Sequence, residues 1–162
     1  MNLLAWAIEL DIHEKYVEAS KVYEDVLNEK NIPEEPYINL ACLYWDVTDF
    51  GVNAHLSLPP DFISHAGNSM YSVLNEAEVR FGFVAEIAFW RLYFNFTTLG
   101  DAAYLKKTLE LIEDPECSHV PYFHIYSQTK HEKYLPYVEK LIIQARAQPT
   151  AKNRYILSVL ES

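Results

Sequence analysis

Prolines and helical spacing divide the stretch from Ala5 to Trp45, AWAIELDIHEKYVEASKVYEDVLNEKNIPEEPYINLACLYW, into three helices. Tyr16, Ala19, Tyr23 and Val26 recur at steps of three and four, which places them on one helix face. Ala19 is the small member of that face, where another helix can come closest. The preceding helix has Leu3, Trp6, Ala7 and Leu10 on one stripe, with Glu9 and Asp11 outside it. His13, Glu14 and Lys15 between them are too few for anything but a turn. Two amphipathic helices joined this way pack antiparallel to bury both stripes. Pro33 and Pro36 end the hairpin, and Pro36 suits the first turn of a third helix, where its missing N–H is not needed. Tyr37, Leu40, Ala41 and Tyr44 repeat the spacing of Leu3, Trp6, Ala7 and Leu10.

The pattern resembles a tetratricopeptide repeat, an aromatic-small-aromatic helix pair closed by proline with a period of roughly 34 residues. Trp6, Ala7 and Leu10 match its first helix, Tyr16, Ala19 and Tyr23 its second, and Pro33 its closing proline. Ala7 stands where glycine is usual, and Glu14-Lys15 where Gly-Asp is usual; the match is clear over about residues 3–45. The resemblance implies an all-α fold, a right-handed array of antiparallel hairpins with about nine helices and a closing C-terminal helix. It also implies a concave face that holds a peptide or partner protein. In one family mode, lysines and asparagines clamp a C-terminal carboxylate. Asn39 matches such a position, but Leu4 and Ile8 occupy two others, so that clamp is not expected.

The length of 162 residues suits one domain, 1–162, able to bury a sizeable core. Half of the residues are apolar and 14% aromatic, which argues against disorder. Four glycines and the lack of any Asn-Gly or Asp-Gly pair argue against a β-hairpin fold. No charged and apolar leader opens the chain, and Cys42 and Cys117 lie far apart. The most apolar stretch, 81–96, is too short to span a bilayer and carries Glu86, Arg91 and Asn95. A reducing, cytoplasmic setting is expected, with no membrane partner.

Beyond Trp45, residues 46–60 hold Gly51, Asn53, Pro59 and Pro60 without a sustained period and predict a long loop. A helix follows with Phe62, Ala66, Met70, Val73 and Ala77 inward. Residues 81–96 are apolar nearly all round and predict a central helix, with Phe83, Ile87, Trp90 and Phe94 on one side. Its one lean strip is Val84, Ala88, Arg91 and Asn95. Gly100 suits its C-terminus and Asp101 can cap the next helix, whose stripe is Ala102, Leu105, Leu109 and Ile112. His131-Glu132-Lys133-Tyr134 repeats the earlier HEKY, and Pro136 fits a helix starting beside it. Lys152–Leu160 forms the closing helix.

Chemistry is sparse. Cys117, His119, His124 and His131 are separated by one, four and six residues, unlike the tight pairs of zinc sites, so no metal and no cofactor are expected. No G-x-S-x-G and no phosphate-cradling glycine run occurs, and no catalytic residue is assigned. Glu86, inside an apolar stretch, needs a partner, for which Arg80 and Arg91 are candidates.

Charge is the remaining signal. Residues 1–61 hold twelve acids and three bases, whereas 117–162 hold three acids and six bases. An acidic front repels nucleic acid and favours basic partners. The resemblance implies a non-catalytic module binding a peptide or partner protein, through Asn39, Arg91 and Asn95 on a concave face. The alternative is an acidic immunity- or antitoxin-type inhibitor that blocks a basic effector, with Glu34 and Glu35, between two prolines, as contacts.

Overall fold

The computed structural model describes residues 2–162, all of whose regular elements are helical: ten α-helices and one 3-10 turn. The chain forms two compact units, 1–81 with 149–152, and 82–148 with 153–162.

In the first unit, α1 (Leu3–Ile12) and α2 (Tyr16–Leu27) form the expected hairpin. Asn2 caps α1, its Oδ1 accepting the Ala5 N–H at 2.7 Å. Glu14 takes the left-handed conformation, φ 58°, which lets the chain reverse within three residues. Ala7, Ala19, Tyr16, Tyr23 and Val26 are buried. The inward face of α1 differs from the expected stripe. Trp6 is 47% exposed, while Asp11 is fully buried. Leu4, Ile8 and Ile12 make α1 apolar on several sides, so spacing alone does not orient it; Ala7 and Asp11, one turn apart, face inward.

Helix α3 (Glu35–Val47) packs on α2 and on α5 (Pro60–Phe81) and is buried over most of its length. The expected loop over 46–60 contains a further helix, α4 (Phe50–His55). Asp49 starts it by accepting the Val52 N–H at 3.1 Å. None of its side chains is buried and Phe50 is 82% exposed, so no apolar period marked it.

In the second unit, the expected helix over 81–96 is divided. Helix α5 runs to Phe81, Gly82 turns the chain at φ 71°, and α6 begins only at Ala85 and ends at Leu99. Phe83, expected inside, lies in that break and is 69% exposed. Gly100 ends α6 in the left-handed conformation, its N–H donating to the Phe96 carbonyl at 2.9 Å. Asp101 accepts from Ala103 N–H at 2.9 Å and pairs with Lys107, shaping the turn into α7 (Tyr104–Leu111). Helix α7 buries Tyr104 and Thr108 rather than the expected stripe, of which Ala102 is exposed. Helix α8 (Tyr122–Thr129), the 3-10 turn Glu132–Tyr134 and α9 (Leu135–Ala147) follow, with Pro136 in the first turn of α9. Helix α10 (Ala151–Leu160) buries Ile156. The core of this unit is aromatic: Phe89, Trp90, Tyr93, Phe94, Tyr104 and Phe123.

Candidate functional site

Charge divides sharply between the units. Fourteen carboxylates and five Lys/Arg side chains fall in the first, a formal −9; nine and eight fall in the second, −1. In the first unit Glu18, Glu24, Asp25, Glu29 and Glu34 are exposed. Their placement rests on a polar framework that spacing did not reveal.

The deepest part is Asp11. Its Oδ2 accepts the Tyr23 hydroxyl at 3.0 Å and its Oδ1 the Ala151 N–H at 2.7 Å. The carboxylate thus stands at the N-terminus of α10, where free N–H groups and the helix dipole favour negative charge. Burial, then the Asp11 charge, raises the Tyr23 phenol far above its usual range, so it remains a donor. Glu35 acts on the same hydroxyl through space.

A second knot reaches the surface. Tyr44 on α3 donates to Glu24 Oε1 on α2 at 2.5 Å, and His65 Nε2 on α5 lies 3.2 Å from the same oxygen. The His65 ring stands edge-on to Tyr44 at 5.5 Å. Burial, with Glu24 alongside, raises the Tyr44 phenol too. Ser69 lies 3.4 Å from His65 Nδ1, completing a Ser–His–Glu chain. Together with Tyr44, this chain links α2, α3 and α5 around the exposed carboxylate of Glu24.

Arg80 fixes the connection into α3. Its guanidinium donates to the carbonyl of Leu27, the last residue of α2, at 3.0 Å, and to those of Glu29 and Lys30 in the segment that follows at 2.6 Å. Arg80 is thus engaged away from Glu86, whose Oε1 accepts instead from Trp90 Nε1 at 3.3 Å.

The five residues read as contacts fall into two groups. Glu34, Glu35 and Asn39 belong to the first unit, Arg91 and Asn95 to the second. Glu34 is exposed at the start of α3 and Glu35 is half-buried beside it. Asn39 is only 1% exposed and its Nδ2 has no hydrogen-bond partner, which places it in the core rather than on an open face. Arg91 and Asn95 lie one turn apart on α6, half-buried, and both are engaged within the protein. Asp11, Tyr23, Tyr44 and His65 were missed because each acts across helices, where a one-helix period carries no signal.

Among the described residues no group of three or more His, Cys, Asp or Glu is arranged to hold a metal ion. Burial, with Glu86 and Asp114 nearby, pushes the Cys117 thiol up to about 11, so it is not a thiolate nucleophile at neutral pH. No helix among the described residues is long and apolar enough to cross a membrane. Comparison with protein-family models, curated proteins and solved structures finds no match to this chain.

Proposed function

We propose that the chain is a non-catalytic protein-binding module whose acidic first unit docks a basic protein or peptide. The observation that carries this reading is the charge division, −9 against −1, with the first unit's carboxylates displayed on α2 and at the start of α3. Such a surface steers a cationic partner into encounter and rejects anionic ones. A tetratricopeptide-like hairpin array is the arrangement we assign to it. The packing of α1 on α2, α2 on α3 and α3 on α5, with Ala7 and Ala19 buried in the first pair, supports that assignment. The free thiols of Cys42 and Cys117 suit a reducing, cytoplasmic setting. When the basic partner is an effector enzyme, the same surface makes the chain its immunity- or antitoxin-type inhibitor.

The test is association kinetics with a lysine- and arginine-rich peptide and an acidic peptide of equal length, at two salt concentrations. The basic peptide should associate roughly tenfold or more faster at low salt, and the steering should fade as the Debye length falls to about 8 Å. Glu18→Lys with Glu34→Lys should slow association and leave the fold intact. Salt-independent association, or equal binding of the acidic peptide, rejects the reading.

A further inference from the structure

The second unit encloses one histidine. His124, on α8, is 6% exposed. Rings close around it at centroid distances of 5.0 Å for Tyr93, 5.2 Å for Tyr104, 5.4 Å for Phe96 and 5.9 Å for Phe123. Both ring nitrogens are engaged, Nδ1 with the Tyr104 hydroxyl at 2.9 Å and Nε2 with the Gln128 amide nitrogen at 3.3 Å. An amide nitrogen can only donate, so in this arrangement Nε2 accepts and the proton sits on Nδ1, donating to Tyr104. A second proton has one place to bind, Nε2, which the exposed Gln128 amide borders and the surrounding rings otherwise enclose.

Among the described residues no charge shifts His124 toward its cation, and burial opposes it. The titratable groups facing it are phenols, Tyr104 from α7 and Tyr93 from α6; behind Tyr93, Tyr155 of α10 shares its hydrogen bond. Burial keeps the phenols of Tyr93 and Tyr104 protonated, so neither supplies a negative charge. Helix α9 and the 3-10 turn also pack on α8, but their Tyr137 and Tyr134 rings meet Tyr122. Tyr122 lies two residues from His124 and so on the other side of α8.

We propose that His124 makes the second unit an acid-sensitive switch, in which the imidazole takes its second proton as the aromatic core that encloses it opens. Burial alone pulls its pKa down to about 4 from the ordinary 6.5. Between these values the unfolded chain binds a proton that the folded unit refuses. Folding of the unit therefore weakens as pH falls from about 6.5 to about 4, and this contribution stops changing below 4. The ceiling is tenfold per pH unit, or roughly 300-fold in the folded-to-unfolded ratio across that window.

The experiment follows the imidazole NMR signals of the full chain from pH 8 to pH 4. Emission of Trp90 is read alongside, in a Trp6→Phe/Trp45→Phe background. Trp90 is 1% exposed in the same core and stacks on Phe123, so its emission reports opening there. His124 should stay neutral while the core is closed, and should gain its proton only as Trp90 emission shifts to the red. The folded-to-unfolded ratio of His124→Gln, neutral at every pH, measured by urea unfolding at pH 6.5 and pH 4.5, should fall at least tenfold less than that of wild type between the two. Titration of His124 near 6.5 with unchanged Trp90 emission overturns the proposal, as does emission unchanged down to pH 4. An unaltered pH dependence in His124→Gln overturns it as well. Should His124→Gln fail to fold at neutral pH, the wild-type titration decides alone.

Discussion

Asp11→Ala separates two views of α1, one in which Asp11 faces water and one in which it anchors the first unit. The structure leaves the side chain fully buried, with the Tyr23 hydroxyl at 3.0 Å and the Ala151 N–H at 2.7 Å. Truncation orphans both donors in a buried site, and each orphan costs about 1–3 kcal/mol. Removing the carboxylate also removes its own desolvation cost, which offsets part of that sum. The expected net loss is roughly 2–4 kcal/mol, which in a chain of this size lowers the melting temperature by roughly 4–16 °C. Tyr23→Phe removes one donor to a charged acceptor and should cost about 1.5–3 kcal/mol. The two losses should not add, because they share one hydrogen bond; a double-mutant cycle should return a coupling of about 1–2 kcal/mol. Urea unfolding followed by circular dichroism measures all four proteins. A loss under about 0.5 kcal/mol for Asp11→Ala, the level of an ordinary surface substitution, refutes the reasoning.

Ala19 on α2 has no exposed surface, so Ala19→Leu should overpack its surroundings by about 1–3 kcal/mol; an unchanged melting temperature would show that the packing around it has room for the larger side chain. Arg80 donates to three carbonyls at the end of α2, and Arg80→Ala should cost about 1–2 kcal/mol, the partly exposed carbonyls regaining water. Arg80→Lys should recover less than half of that loss, because a point charge cannot match a fork of donors; full recovery would show that charge alone matters.

How much of this was legible depends on whether a feature lies within one helix or between several. The Tyr16–Ala19–Tyr23–Val26 face lies within one helix, and all four residues are buried. Glycine at the end of α6 and proline at the start of α3 and α9 are likewise local, and stand where backbone chemistry puts them. Asp11 is the opposite case. A carboxylate beside an apolar stripe reads as solvated unless its partners are known, and these come from α2 and from residue 151. The charge division, by contrast, is legible in chain order. A window over 1–61 carries twelve acids and three bases, and the residues that the fold adds to that unit, 62–81 and 149–152, hold two acids and two bases and leave its net charge unchanged.

The two HEKY sequences show why identical letters do not fix a turn. At the first, α1 runs to Ile12 and His13 caps it, its Nδ1 bonding the Glu9 carbonyl at 2.8 Å. The left-handed residue is then Glu14, within the motif. At the second, Lys130 has already taken the left-handed conformation, φ 52°, so α8 ends before the motif begins. His131 is extended and starts a new element, its Nδ1 accepting the Lys133 N–H at 3.2 Å. Tyr134 closes a 3-10 turn instead of opening an α-helix, and Pro136 falls in the first turn of α9, where no backbone donor is required. The same imidazole thus ends one helix and begins another element. What differs is where the preceding helix stops burying side chains: α1 is buried as far as Asp11, two residues before its motif, whereas α8 buries nothing beyond Ile125, six residues before its own. Turn chemistry offers the alternatives at each HEKY, and tertiary burial of the helix before it selects between them.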